Sequence, residues 1–146
     1  MIAMTVQPME CSSRKPASVK VLVIDDDLAV LEALKLVLVL EGFDVVEAES
    51  GDVAVATAKT DAFDVAITDL RMPGMSGVET LAALRQIDPT LPVIIASGFL
   101  AEEVAAECLT LGALACIRKP FDLEDLLSLV QRALHERVGT HGPADG

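Results

Sequence analysis

The stretch VLVIDDD, residues 21–27, decides the fold. Its aliphatic and β-branched residues form a short unbroken apolar run, which is typical of a strand buried on both faces of a sheet. The run ends abruptly at Asp25, Asp26 and Asp27, and the next segment is long enough for a helix. Gly42 follows that segment, where the end of a helix often adopts the left-handed conformation that glycine tolerates. The regular part of the chain therefore begins as a strand followed by a helix.

The same unit repeats four more times. Ser50 is placed to cap the second helix, and Ser76 and Glu79 have the spacing of a capping box at the third. The predicted strands cover residues 19–24, 43–48, 64–69, 92–96 and 113–117, and the predicted helices cover residues 28–40, 50–60, 76–88, 101–111 and 122–138. Five such units with short loops predict an α/β fold, a doubly wound five-stranded parallel sheet with right-handed crossovers.

The chain of 146 residues has room for one domain with one core. We predict a flexible N-terminal extension at residues 1–18, the domain at residues 19–138, and a flexible C-terminal tail at residues 139–146. The apolar fraction of 52% suits a sheet that is covered on both faces, and the aromatic fraction of 3% means that aliphatic side chains must build the core.

The composition is strongly acidic, with 11 Lys and Arg residues against 23 Asp and Glu residues and a formal net charge of −12 at pH 7. Phosphate backbones and anionic lipid headgroups repel such a surface. We therefore expect no direct binding to nucleic acid or to a membrane. A cation site or a basic partner surface suits the charge better.

Cysteine usage and the start of the chain predict a cytoplasmic protein. Cys11, Cys108 and Cys116 are widely spaced, and the sequence has no C-x-x-C pair, which favours a reducing compartment. The first ten residues lack the basic and long apolar segments of a signal peptide. The most apolar run, residues 36–40, is far shorter than the roughly 20 residues that cross a bilayer.

Polar side chains follow four of the five predicted strands. Asp25 and Asp26 follow the first strand, Asp69 ends the third, Ser97 follows the fourth, and Lys119 follows the fifth. The carboxyl ends of parallel strands meet at one edge of the sheet, where α/β proteins bind their ligands. We therefore predict that these residues lie together in a functional site.

The chemistry of these groups points to a metal and a phosphoryl group. Carboxylates at one edge repel each other by about 4 kcal/mol per pair at 4 Å if the effective dielectric constant is about 20. Mg²⁺ offsets this repulsion and needs only one or two carboxylates besides water and phosphoryl oxygens. Lys119 adds a mobile positive charge and Ser97 a hydroxyl donor. Together they can stabilise a phosphoryl group in transfer to a carboxylate.

Each of these residues, taken alone, has a simpler structural explanation. Residues 25–27 can cap the helix that follows them, and Asp69 can end a strand. Ser97 and Lys119 stand in ordinary turn sequences, next to Gly98 and Pro120. The coincidence of all of them at one edge favours the functional interpretation.

At this point the sequence resembles the receiver domains of two-component response regulators. The matching segments are VLVIDDD at residues 21–27, DVAITDLRMPGMSG at 64–77, PVIIASG at 92–98 and RKPF at 118–121. The resemblance covers residues 19–138, nearly the whole chain, with its elements in the right order and spacing. It implies a stand-alone receiver domain with the flavodoxin-like fold of the chemotaxis regulators and the strand order 2-1-3-4-5.

The resemblance also implies a role for each residue of the site. Asp69 would be the aspartate that is phosphorylated. Asp26 and Asp69 would bind Mg²⁺ directly, Asp25 would bind it through water, and the backbone carbonyl of Arg71 would complete the protein ligands.

Two further residues match the family pattern. Ser97 corresponds to the Ser or Thr of the family that follows the phosphoryl group, and Lys119 corresponds to its lysine. The peptide bond between Lys119 and Pro120 would be cis in the family fold.

Three positions are expected to set switching and phosphoryl lifetime. The family usually has Tyr or Phe three residues before the lysine, and this chain has Cys116 there. An aromatic rotamer switch is therefore unavailable, and coupling must use Ser97, the loop after it or backbone shifts. Arg71 and Phe99 occupy the positions that tune lifetime in the family, and neither carries a carboxylate or amide to orient a hydrolytic water.

The leading hypothesis is Mg²⁺-dependent acceptance of a phosphoryl group by Asp69 from a histidine kinase or a phosphotransfer protein. A downstream protein would then read the surface formed by the fourth helix, the fifth strand and the fifth helix. On this hypothesis the chain is a signalling phosphoacceptor that catalyses only its own phosphotransfer and slow dephosphorylation, and not an enzyme acting on other substrates.

Two alternatives stay open from the sequence. Asp25 and Asp27 have the D-x-D spacing of phosphatases of the haloacid-dehalogenase type, but Ala29 stands where those enzymes usually have Thr or Val, and the chain has no room for a cap domain. The other alternative is a degenerate receiver that serves only as an interaction module.

Overall fold

The computed structural model of the protein describes residues 18–141, with side chains described as far as residue 136. Five strands alternate with five helices along the chain. The strands are β1 Lys20–Ile24, β2 Asp44–Ala48, β3 Val65–Thr68, β4 Val93–Ser97 and β5 Ala115–Arg118. The helices are α1 Leu28–Leu40, α2 Gly51–Thr60, α3 Gly77–Ile87, α4 Glu102–Thr110 and α5 Leu123–His141.

All five strands are parallel and form one sheet in the order β2-β1-β3-β4-β5, which confirms the predicted fold class and strand order. The register aligns the carboxyl ends of the central strands, since Ile24 pairs with both Ala48 and Thr68. Strand order reverses beside β1, so β1 and β3 lie next to the switch point where α/β sheets bind ligands. The polar residues that follow these strands are thereby brought to one edge.

Two apolar clusters cover the two faces of the sheet, because side chains alternate along each strand. On β1, Leu22 and Ile24 point into the cluster packed by α2, α3 and α4. Val21 and Val23 point into the cluster packed by α1 and α5. All four side chains are at most 1% exposed. This is the two-faced burial that the unbroken apolar runs of the sequence predict.

The predicted helix caps are present. The Ser50 hydroxyl accepts a hydrogen bond from the Val53 amide at 3.2 Å. Ser76 and Glu79 form the reciprocal capping box at the start of α3. These side chains satisfy backbone amides that have no partner within the helix, and this fixes where α2 and α3 begin.

Most element ends lie within two residues of the prediction, and the last helix is the exception. It runs to His141 and not to residue 138, so the first three residues of the predicted tail are helical. The rest of that tail, and residues 1–17 of the predicted extension, lie outside the described residues. None of the described helices combines the length and the apolar content needed to cross a membrane.

Helices α2 and α3 approach each other closely at Gly51. A Cβ atom at this position would overlap the Thr80 hydroxyl and lie 3.0 Å from the Met75 side chain. Thr80 is fully buried, and its hydroxyl donates to the Ser76 carbonyl at 2.7 Å, so it has little freedom to move. The crossing of α2 and α3 therefore requires glycine at residue 51.

We predict that Gly51→Ala lowers the free energy of unfolding by about 1–3 kcal/mol, because overpacking forces neighbouring side chains to move. Gly98→Ala is the control, since a Cβ there would meet only the Lys119 Cβ at 3.9 Å. Urea titration followed by circular dichroism measures both variants. Equal stability of the two variants would show that the helix crossing tolerates a side chain.

Candidate functional site

Three carboxylates meet at the carboxyl edge of the sheet. Asp25, Asp26 and Asp69 each offer an oxygen, and these oxygens lie within 4.8 Å of one another. The backbone holds two of them in place: the Asp25 amide donates to the Ala48 carbonyl at 3.2 Å, and the Asp69 amide donates to the Ile24 carbonyl at 3.0 Å. Each bond continues the sheet hydrogen bonding just past the end of a strand. The predicted convergence of the three acids is therefore a direct result of the sheet.

Lys119 extends into this acidic cluster from the loop after β5. Its Nζ lies 2.6 Å from Asp25 Oδ2 and 3.9 Å from Asp69 Oδ2. The Lys119 amide donates to the Ser97 carbonyl at 2.9 Å, and the Lys119-Pro120 peptide is cis, as expected. Three carboxylates and one ammonium leave a formal charge of −2 in the cluster. One divalent cation would neutralise it.

The three carboxylates differ in what they already contact. Asp25 is 3% exposed, and both of its oxygens have protein donors, the Asp27 amide at 2.9 Å and Lys119 Nζ at 2.6 Å. Asp69 Oδ1 accepts from the Leu70 amide at 2.8 Å. Asp26 is exposed to solvent. Asp25 is thus the most fixed of the three carboxylates, and Asp26 is the most open to an ion from solution.

Asp27 is not part of this group. Its side chain caps α1 by accepting from the Ala29 amide at 3.0 Å, and the cluster comprises only Asp25, Asp26 and Asp69. The phosphatase alternative needs Asp25 and Asp27 to act together at one site. The geometry does not support that alternative.

The hydroxyl of Ser97 lies at the end of β4 and is engaged with its own turn. Ser97 is 1% exposed. Its Oγ donates to the Phe99 carbonyl at 3.3 Å and accepts from the Phe99 amide at 3.2 Å. A hydrogen bond from this hydroxyl to a phosphoryl group would have to replace the one to the Phe99 carbonyl. Such a change would therefore alter the hydrogen bonding of the Phe99 backbone directly.

Arg71 and Phe99 contact each other across the loops that follow β3 and β4. The Arg71 guanidinium carbon lies 4.0 Å from the centre of the Phe99 ring, a cation–π contact between two exposed side chains. The sequence places the two residues at equivalent positions, each two residues after a site residue, but it does not indicate that they touch. The contact joins the loop that carries Asp69 to the loop that follows Ser97.

Gly77 supports the backbone of Asp69, a role that the sequence analysis missed. A Cβ at Gly77 would overlap the Asp69 carbonyl and lie 2.6 Å from the Leu70 Cα. The Gly77 amide also donates to the Leu70 carbonyl at 2.9 Å. The sequence shows a glycine-containing loop after the third strand, but only coordinates show which backbone atoms it approaches.

Cys116 lies on β5 and packs against the cluster on the α4 side of the sheet. Its Sγ is 4.0 Å from the Ala105 carbonyl of α4. Burial raises the pKa of the Cys116 thiol above its ordinary value. The pKa of Cys108 is raised to about 11, first by burial and then by the neighbouring Cys116 and Glu107. At both residues burial therefore favours the neutral thiol, the less reactive form.

The fold and the site together define a doubly wound α/β protein with an acidic cluster and a lysine at the carboxyl edge of its sheet. The response regulator receiver domain model matches residues 21–131, most of the chain. The protein belongs to that family, as the resemblance in the sequence predicts.

Individual proteins show the same similarity. The response regulator protein FleR of Pseudomonas aeruginosa is 38% identical over 77% of the chain. The CheY-like receiver domain protein of Methanospirillum hungatei superposes with a TM-score of 0.81 at 30% identity, over 83% of this chain and 97% of that one. CheY of Borrelia burgdorferi, in a complex with CheX, BeF3 and Mg+2, gives a TM-score of 0.75 at 30% identity, over 78% and 87% of the two chains.

The similarity to the curated relatives is confined to one part of them. The chain spans 32% of the length of a cyclic di-GMP phosphodiesterase of Thermotoga maritima and 24% of the length of FleR. The match therefore establishes the receiver domain, and the activities of those longer proteins do not transfer with it.

We predict that Lys119→Met lowers the free energy of unfolding by about 2–4 kcal/mol in metal-free buffer, because it leaves the buried Asp25 unpaired beside two more acids. Arg132→Met is the control: its ion pair with Glu136 is 54% and 51% exposed and contributes at most about 0.5 kcal/mol. Chemical denaturation in the presence of a chelator measures both variants. If Lys119→Met lowers the free energy of unfolding by no more than Arg132→Met does, the proposed balance of charges is wrong.

Proposed function

We propose that this protein accepts a phosphoryl group on Asp69 from the phosphohistidine of a histidine kinase or phosphotransfer protein, with Mg²⁺ as cofactor. The observation that carries the proposal is the meeting of three carboxylates and Lys119 at the carboxyl edge of the sheet. Membership of the receiver family supports the assignment of the phosphoacceptor role. The proposed activity is that of a signalling phosphoacceptor.

The residues of the cluster suit a hard divalent cation. All the side-chain donors are carboxylate oxygens, and the formal charge of −2 calls for a compensating ion. We assign Asp26 and Asp69 as direct ligands, together with the backbone carbonyl of Arg71. Asp25 fits a role through water, because both of its oxygens already accept from protein donors. When bound, the ion would neutralise charge on the transferring phosphoryl oxygens.

The contacts of Asp69 favour Oδ2 as the nucleophile. Oδ1 is held by the Leu70 amide at 2.8 Å, whereas Oδ2 faces Lys119 at 3.9 Å. In the transfer step, Oδ2 forms a bond to phosphorus, the bond between phosphorus and the imidazole nitrogen breaks, and the imidazole leaves with the electron pair. Lys119 then lies close enough to pair with the new phosphoryl oxygens. Pairing with the phosphoryl oxygens would also weaken the ion pair between Lys119 and Asp25.

Coupling to the rest of the protein is proposed to start at Ser97. If its hydroxyl turns to donate to the phosphoryl group, the bond to the Phe99 carbonyl is lost, and the turn after β4 must rearrange. Cys116 is too small to act as the usual aromatic switch, so the movement passes through this turn and α4 to the surface formed by α4, β5 and α5. A downstream protein that prefers one arrangement of that surface would read the signal.

Lifetime, location and partners complete the proposal. Arg71 and Phe99 offer no carboxylate or amide to orient an attacking water, so we expect slow dephosphorylation. The acidic net charge of −12 argues for protein partners and against nucleic acid or membrane surfaces. We also propose a cytoplasmic location.

We predict that the protein is labelled by acetyl phosphate or a phosphorylated kinase in the presence of Mg²⁺ and that Asp69→Asn is not, because the amide has no anionic oxygen to attack phosphorus. Phos-tag electrophoresis and mass spectrometry measure the labelling. Acid-labile phosphate retained on the folded variant would place the acceptor elsewhere.

A second prediction tests the metal ligands directly. Asp26→Asn should weaken Mg²⁺ binding at least about tenfold in calorimetric titration, since it removes a direct charged ligand. The neighbouring Asp27→Asn is the matched control, because Asp27 caps α1 outside the cluster and Asn is an equally good cap. Unchanged Mg²⁺ affinity in Asp26→Asn would contradict its assignment as a direct ligand. Absence of binding to the wild-type protein would favour a degenerate receiver that acts only by contact.

A further inference from the structure

The outer face of α1 is unusually apolar for a surface helix. Of its 13 residues, only Glu32 and Lys35 are charged. Leu31, Leu34 and Leu38 pack into the core, which accounts for one face. The rest of the helix surface exposes Leu28 at 61%, Leu36 at 61%, Val39 at 48% and Leu40 at 76%. Exposed apolar residues in a contiguous stripe mark an interaction surface more often than scattered ones do.

The stripe has the spacing of a helix-pairing seam. Leu28, Glu32, Lys35 and Val39 follow one another at intervals of four, three and four residues, so they lie in one row along the helix. Leu36 flanks the row and is exposed on the same side. The row is thus apolar at both ends and carries opposite charges at its centre. Among the residues that the structure describes, no ion pair involves either central residue.

We propose that α1 pairs with α1 of a second copy of this chain, antiparallel and about a two-fold axis. In this register, Leu28 meets Val39 of the second copy, and Glu32 meets Lys35 of the second copy. The two-fold axis repeats each contact, giving two apolar contacts at the ends and two ion pairs in the middle. The pattern is therefore complementary to itself, and this complementarity identifies the occupant as another copy and not an unrelated helix.

The rest of the molecule is compatible with this interface. α1 packs over β1 and the edge strand β2. β2 exposes Asp44 and Glu47, and acidic residues disfavour pairing through the strand edge. On this side of the molecule, the exposed surface of α1 is therefore better suited to contact a second copy than the edge of β2. The net charge of −12 opposes association, but salt screens this repulsion beyond about 8 Å at physiological ionic strength.

The pairing should be weak, because one helix face is smaller than the roughly 800 Å² per partner of a standard interface. We expect a dissociation constant on the order of 10⁻⁴ M, measured by sedimentation equilibrium of the full chain without phosphodonor or Mg²⁺. The proposal goes beyond phosphotransfer, and these conditions keep it independent of that function. If the chain stays monomeric at millimolar concentration, the proposed dimer is wrong, and the exposed residues of α1 would instead contact a helix of a different protein.

Charge reversal identifies the interface. Glu32→Lys or Lys35→Glu alone creates two like-charge contacts and should weaken the dimer at least about tenfold. The double variant Glu32→Lys with Lys35→Glu restores the ion pairs, and its dissociation constant should be close to that of the wild type. Val39→Glu should abolish dimerisation, and Leu109→Glu, on the exposed side of α4 at 50% exposure, should leave it unchanged.

Melting curves confirm that each variant is folded, and the double variant controls for helix stability because it has the same composition as the wild type. A dimer that survives Val39→Glu but is lost in Leu109→Glu would place the interface on α4 and overturn the proposal. If the double variant dimerises as weakly as the single variants, the antiparallel register is wrong.

Discussion

Repulsion among three carboxylates is the constraint on which the site depends. Asp25, Asp26 and Asp69 are held together by the sheet, and only one protein cation, Lys119, enters their cluster among the described residues. The ammonium lies closer to Asp25 than to Asp69, by 2.6 Å against 3.9 Å. The shorter ion pair neutralises the acid that is most buried. The remaining negative charge stays on Asp26 and Asp69, where a divalent cation could neutralise it.

The sheet supplies this arrangement through its backbone. Asp25 and Asp69 each follow a central strand, and their amides continue the hydrogen bonding between neighbouring strands. Gly77 adds to this, because the lack of a side chain lets its backbone approach the Asp69 carbonyl. The positions of the carboxylates are therefore set by the same interactions that stabilise the core. A site built this way is preorganised, since little of it has to be ordered when a ligand binds.

The fold class and the meeting of Asp25, Asp26, Asp69 and Lys119 at one edge of the sheet could be predicted because both rest on strong local patterns. Unbroken apolar runs mark the buried strands, Ser50 and Ser76 mark helix starts, and the polar residue after each strand must lie at the carboxyl edge. The preference of Lys119 for Asp25 over Asp69 could not be predicted, because it depends on differences of about 1 Å between side-chain atoms. The end of α5 was also missed, since the polar residues after 138 show no periodic pattern that separates helix from tail.

The contacts around Phe99 suggest where the proposed switching would begin, in the loops that follow β3 and β4. Ser97 makes both hydrogen bonds of its hydroxyl to Phe99, and the Phe99 ring stacks on Arg71 at 4.0 Å. Cys116 occupies the position at which the receiver family usually has an aromatic residue, and its small side chain packs on the α4 side of the sheet. In the proposed function, a movement of Ser97 would therefore reach the exposed residues Phe99 and Arg71 first and α4 only afterwards. If the loop has two states in the proposed function, weak exposed contacts would let them differ little in free energy, and a partner protein with a modest preference would then select between them.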